Sequence, residues 1–109
     1  MTEQKESIAL TEAVYYILLS LYEPMHGYGI MQNVERLSKG RVSLAAGTLY
    51  GAIGTMLEKG WIRALPEETN SRRKEYEITE SGKTAVRNEL KRLNELLENG
   101  MSIEGGYDR

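Results

Sequence analysis

The chain has 109 residues, no cysteine and a single histidine. Without cysteine there is no disulfide scaffold, no thiolate zinc site, no iron–sulfur cluster and no thiol nucleophile. One histidine excludes two-histidine metal sites, and a Ser-His-Asp triad would have to be built on His26. That residue has no nucleophile partner in sequence, so a capping or structural role is expected for it. No full G-x-x-x-x-G-K-S/T phosphate-binding loop is present. These absences argue against an enzyme and predict no catalytic residue, no cofactor and no metal. No apolar run approaches ~18 residues, so no membrane span is expected. The first seven residues carry Glu3, Lys5 and Glu6 and no small-residue cleavage pattern, so no secretory signal is expected. The expectation is a soluble, cytoplasmic, single-domain protein.

The net charge of −2 is unpromising for a protein that binds a polyanion, but the charge is unevenly spread. Residues 36–74 are net +5, flanked by net −4 over residues 1–35 and net −3 over residues 75–109. Binding follows the local field rather than the sum. On charge alone, a chance excess on a solvated face explains the basic middle equally well.

Apolar periodicity predicts a helix over residues 8–22, capped by Ser7 or Thr11. Its stripe Leu10, Val14, Ile17, Leu18, Leu21 is accompanied by a second, Tyr15, Leu19, Tyr22. A helix apolar on two sides must be covered on two sides. Glu23-Pro24 stops it. A second helix is predicted from Gly27 to about Ser38, with Ile30, Met31, Val34 and Leu37 inward, then an extended link over residues 41–44. A third is predicted over residues 45–59, with Leu49, Ile53, Met56 and Leu57 inward. Its other side carries Thr48, Gly51, Thr55 and Glu58, with Tyr50 on the flank. Gly47, Gly51 and Gly54 each cost about 1 kcal/mol against Ala in a helix interior. Either something approaches this backbone closely or the glycines pack on neighbouring helices.

Gly60 is the expected terminator. Strands are predicted at 61–66 and 72–78, joined by a polar turn at 67–71, with Tyr76 and Ile78 on one face and Glu75 and Glu77 on the other. Glu67-Glu68 reads as a solvated turn rather than an acid–base pair, and Trp61 as core at the base of the hairpin. Thr79 is the expected cap of a last helix over residues 80–98, whose seam is Val86, Leu90, Leu93, Leu97, ended by Asn99-Gly100. A narrow seam of this kind is typical of helix-on-helix association.

Three helices, a hairpin and a further helix make a mainly α (α+β) chain with the winged helix-turn-helix layout. Residues 1–79 form the expected DNA-binding unit, 80–98 a C-terminal dimerisation helix and 99–109 a flexible tail. In such proteins the second helix of the pair lies in the major groove, which here is the third helix. Thr48, Tyr50, Gly51 and Thr55 then face DNA, where threonine methyls can touch thymine methyls. Arg72, Arg73 and Lys74 sit on the hairpin within reach of phosphates, and Lys39 and Arg41 flank the same groove. Tyr15, Leu19, Tyr22, Val86, Leu90, Leu93 and Leu97 are the expected contacts with a second copy.

His26-Gly27-Tyr28-Gly29-Ile30, Gly47-Thr48-Leu49-Tyr50, Leu57-Glu58-Lys59-Gly60-Trp61-Ile62, Arg72-Arg73-Lys74-Glu75-Tyr76 and Ile78-Thr79-Glu80-Ser81-Gly82 follow one another in an order and spacing that resembles the PadR-like transcriptional regulators. The resemblance covers about residues 8–98 and is similar in length to the short subfamily, with one dimerisation helix. It implies a homodimeric regulator of transcription that binds double-stranded DNA, a repressor in the first instance, with Thr48 and Tyr50 at the start of the recognition helix and Arg72–Lys74 on the wing. It also implies, for some members, a small aromatic effector near the dimer interface. Tyr15, Tyr16 and Tyr22 are the candidates to line such a pore, although the last helix offers no aromatic residue for a stacking sandwich. The sequence departs from the family pattern at Gly51, where Pro is usual, at Ala45-Ala46, where Ser or Pro is usual, and at Gly29, where an acidic residue is common. The alternative is a winged helix that binds proteins and never touches nucleic acid.

Overall fold

Thr11 opens the first helix, and its hydroxyl accepts the Val14 N–H. This computed structural model describes residues 9–66 and 73–105; Ser7, the polar turn at 67–71 and Arg72 lie outside the described residues. The helix, α1, spans Glu12–Ser20. After Pro24 comes a short strand that periodicity did not predict, β1 (Met25–His26), and then α2 (Gly27–Leu37). Two residues are too few to leave an alternating pattern, and β1 exists through its pairing with a distant strand. A left-handed turn at Lys39 (φ 57°) and Gly40 (φ 82°) leads towards α3 (Ala46–Glu58). The hairpin strands β2 (Ile62–Ala64) and β3 (Glu75–Ile78) follow, and then α4 (Glu80–Glu104).

The sheet is antiparallel in the order β1-β3-β2. Met25 pairs with Tyr76, His26 with Glu75, and Ile62 with Ile78. The alternation of β3 is as read from sequence, with Tyr76 and Ile78 buried and Glu75 exposed. One core runs through the elements: Ile17, Leu18 and Leu21 of α1, Ile30 and Val34 of α2, Leu49, Ile53 and Met56 of α3, Ile62, Tyr76 and Ile78 of the sheet, and Val86 of α4. Trp61 packs against it at the base of the hairpin.

Three expectations are corrected. Leu57 turns outward rather than into the core, because three inward positions per two turns already cover the body-facing side of α3. Val86 is 2% exposed within the chain's own core, so it is not available to a second copy. The last helix does not stop at Asn99-Gly100; Gly100 stays helical and α4 continues to Glu104. A glycine costs about 1 kcal/mol in a helix interior and need not end it. The proposed tail therefore begins later than residue 99, and residues 106–109 lie outside the described residues.

Two junctions hold α4 to the body. The Thr79 hydroxyl caps α4 by accepting the Gly82 N–H and donates to the Gly60 carbonyl, while the Thr79 N–H donates to the Trp61 carbonyl. Gly82 lies so close that an added Cβ would sit 2.2 Å from the Trp61 carbonyl oxygen. Further along, Glu89 is 4% exposed and accepts hydrogen bonds from the Leu10 N–H and from Arg92. The Arg92 hydrogen bonds hold the Glu89 carboxyl below its ordinary range; burial opposes this, and the Leu10 N–H supports it. Beyond these contacts α4 leaves the body. The radius of gyration is 16.5 Å, against about 13 Å for a compact chain of this length.

Candidate nucleic-acid interface

The outer face of α3 is almost without side chains. Gly47, Gly51 and Gly54 have open space where a Cβ would project, so they do not pack on neighbouring helices of the chain. Thr48 and Thr55 are exposed beside them. The Thr55 hydroxyl donates to the Gly51 carbonyl at 3.3 Å. Ala45 occupies the cap position and provides no side-chain hydrogen bond. The result is a helix whose backbone another surface can approach closely along one side.

Tyr50 stands at the edge of that face, 50% exposed. Its ring lies over Gly27 at the start of α2, where an added Cβ would meet the phenol oxygen at 2.1 Å. Tyr76 sits behind it. Burial raises the Tyr76 phenol above its ordinary value, with Tyr50 as a second contributor. A side chain at position 27 would displace the Tyr50 ring from this place.

Arg73 and Lys74 precede β3 and come to the same place. With His26, Gly27, Tyr28 and Tyr50 they line a cleft of about 400 Å3. His26 caps α2 through Nδ1, which accepts the Gly29 N–H at 3.2 Å, and its Nε2 lies 3.0 Å from Arg73 Nη1. The capping role expected for His26 is present; its contact with the hairpin was not foreseen. Tyr28, 62% exposed, was missed as a cleft residue. The signal was there, since Tyr28 falls out of phase with the inward residues Ile30 and Val34.

Of the sequence-derived DNA candidates, the structure brings Tyr50, Arg73 and Lys74 together and places Thr48, Gly51 and Thr55 on the adjoining helix face. Arg72 lies outside the described residues. Lys39 is exposed at the left-handed turn. Arg41 is engaged elsewhere: its guanidinium donates to Glu12 on α1, with Nε 2.9 Å from the carboxylate, and this hydrogen bond raises its already high pKa. The exposed cation Arg63 is likewise paired, across the hairpin with Glu77.

Leu90, Leu93 and Leu97 of α4 are exposed, as are Leu96, Met101 and Ile103. A groove of about 480 Å3 opens among Leu96, Leu97, Gly100 and Met101. Tyr22 is exposed with Lys83 Nζ 5.5 Å above its ring. Tyr15, Tyr16 and Leu19 are half-buried and pack against the chain's own core. Among the described residues there is no cluster of three metal-ligating side chains, and no helix is long and apolar enough to cross a membrane.

A model of the transcriptional regulator PadR-like family matches residues 15–88, more than half of the chain. Among solved structures the chain is similar to a PadR family transcription regulator from hypervirulent Clostridium difficile, with a TM-score of 0.68 and 19% identity over 84% of this chain and 96% of that one. It is similar to a PadR-like transcription factor from Bacteroides fragilis, with a TM-score of 0.67 and 25% identity over 84% and 87%. It is also similar to RosR from H. salinarum, with a TM-score of 0.65 and 22% identity over 93% and 98%. No curated protein matches.

Proposed function

Because the chain belongs to the PadR-like family of transcriptional regulators, we propose that it binds duplex DNA as a homodimer and represses transcription by occupying a pseudo-palindromic operator. In this reading residues 1–79 are the DNA-binding unit and α4 the dimerisation helix. The recognition element is α3, which enters the major groove with Thr48, Gly51 and Thr55 against the bases and Tyr50 at the groove edge. Arg73 and Lys74, with Arg72, hold phosphates beside it. Lys39 contributes from the turn, and Arg41 would have to leave Glu12 to do so. The observation that carries the reading is the junction of two surfaces: hairpin cations gathered at Tyr50, next to a helix face bare enough to seat in a groove.

Two copies joined through α4 present two such helices. A dimer of this kind addresses half-sites about 34–36 Å apart. A small aromatic inducer acting between the copies would relieve repression by changing that separation, since a ligand shifts an equilibrium by binding one arrangement better. The reading places the protein in the cytoplasm with the DNA it regulates.

The test is duplex binding as a function of salt. Wild-type affinity is expected to fall steeply with ionic strength, because it rests on neutralised phosphates. Replacing Arg72, Arg73 and Lys74 together with Gln is expected to weaken binding to every sequence and to flatten the log Kd–log salt slope by about one per lost phosphate contact. Wild-type affinity and slope in that variant would remove the hairpin from the interface. No salt-dependent binding by the wild type would favour the protein-binding alternative.

A further inference from the structure

The long last helix is charged in two halves. Residues 80–92 are net +2 and residues 93–104 are net −3. In the first half Glu80 lies 3.7 Å from Lys83 and Glu89 is matched by Arg92, which leaves Arg87 and Lys91 exposed with no acidic partner among the described residues. In the second half Glu95, Glu98 and Glu104 are exposed and no basic residue accompanies them. This is the wrong order for a helix standing alone. The C-terminal end of a helix is the negative pole of its dipole, where cations stabilise and carboxylates do not, and the last turn of α4 has no basic residue.

The charges are also placed in register. Reversing the helix about Leu93 carries Lys91 onto Glu95, Arg87 to within one residue of Glu98, and Lys83 to within one residue of Glu104. Arg87 and Glu98 are about three helical turns apart, so they stand on the same flank of the helix, beside the exposed seam of Leu90, Leu93 and Leu97. We propose that the seam is covered by α4 of a second copy running antiparallel, with Leu93 at the two-fold axis and Arg87 of each copy beside Glu98 of the other. This rests on the homodimer reading above and adds to it an orientation and a register. A two-fold contact is self-complementary, so one pairing supplies both ends of the helix with the opposite charge. The carboxylates at the end of each α4 then lie beside the cations near the base of the other. The groove among Leu96, Leu97, Gly100 and Met101, with Glu104 at its rim, lies against the first turns of the partner helix, where Tyr22 is exposed beneath Lys83. A parallel pair would set Arg87 on Arg87 and Glu98 on Glu98. The leucines supply the affinity, and the charges on the flank decide which way round the copies meet.

Sedimentation equilibrium of the full chain gives the dimer Kd for the wild type, Arg87→Glu, Glu98→Arg and the double variant. Both side chains are exposed and lie outside the core, so the fold should be kept. Each single substitution sets like charges together at two symmetric places and is expected to raise Kd on the order of tenfold at low salt, and by less at high salt. The double variant restores opposite charges and is expected to return to within about threefold of wild type. Single variants that dimerise like the wild type, or a double variant no better than the weaker single one, overturn the proposal. Orientation is read separately. The chain has no cysteine, so Met101→Cys is a lone reporter. Antiparallel pairing about Leu93 holds the two copies of position 101 about 24 Å apart along the helix, beyond the roughly 7 Å that a disulfide spans between Cα atoms. Oxidation is expected to give no covalent dimer, and a disulfide-linked dimer overturns the proposal. If the wild type is dimeric and these variants behave otherwise than expected, this inference alone fails; if it is monomeric at every concentration, the homodimer reading fails with it.

Discussion

At the scale of single residues, glycine has opposite meanings at two positions. At Gly82 an added methyl would meet backbone, 2.2 Å from the Trp61 carbonyl oxygen, at the junction where Thr79 ties α4 to the hairpin. Neither backbone can move without breaking that junction. Gly82→Ala is expected to destabilise by about 2–3 kcal/mol, as overpacked cores do, read as a lower midpoint in urea unfolding. At Gly51 the added methyl meets nothing and the helix gains a better former. Gly51→Ala is expected to raise stability by about 0.5–1 kcal/mol and to weaken duplex binding by several-fold if the α3 backbone seats in the groove. A stabilised variant with unchanged affinity would mean that this face stays clear of DNA. The motif glycines were visible in the sequence, but only the neighbours separate these roles. Gly82 and Gly27 answer to close contacts across the fold, whereas Gly51 answers to no contact among the described residues.

At the scale of elements, the helices were legible because each carries an apolar stripe, and α1, α2 and α4 a side-chain cap as well. Thr11 and Thr79 cap as read, and Leu49, Ile53 and Met56 face inward as read. What escaped was non-local. The strand β1 is two residues long and owes its existence to Tyr76 and Glu75. Val86 shares the heptad-like spacing of Leu90, Leu93 and Leu97, yet it lies over the body while they lie beyond it, and spacing along one helix cannot reveal where the body ends. That boundary is marked by Glu89, which joins α4 to the segment just ahead of α1 through the Leu10 N–H and is matched by Arg92. A carboxyl whose folded pKa is lowered contributes stability above its unfolded value, and this contribution is lost as pH falls through the folded value. Glu89→Gln is accordingly expected to cost about 1–2 kcal/mol at pH 7. The gap to wild type should close as pH falls below about 4, the ordinary glutamate range. Urea unfolding across pH measures both. A gap that stayed constant in acid would mean that Glu89 acts through shape and not through charge.

At the scale of the whole molecule, the chain is longer than its mass requires because α4 projects from the body, with extents of 61 × 39 × 21 Å. About 25 residues of helix span about 37 Å, and the distal part has leucines that no described residue covers. Leu93 and Leu97 are one helical turn apart, and Leu96, Met101 and Ile103 extend the apolar surface towards the end. A large exposed apolar patch marks an interaction surface, and in the dimer proposed above a second copy of the same helix covers it. Leu93→Glu/Leu97→Glu is expected to turn a dimer into a monomer in sedimentation equilibrium. The body should keep its fold, since neither side chain belongs to the core. The concentration dependence of the unfolding midpoint, which a dimer must show by mass action, should disappear. Duplex affinity should fall by roughly 100-fold or more, because two tethered half-site contacts gain an effective concentration that one contact lacks. What remains should still weaken with salt, since each separated copy keeps its own α3 and hairpin cations. A double variant that stays dimeric would show that the two copies meet through another surface, and the spacing of about one helical turn between half-sites would then have to be rederived from that contact.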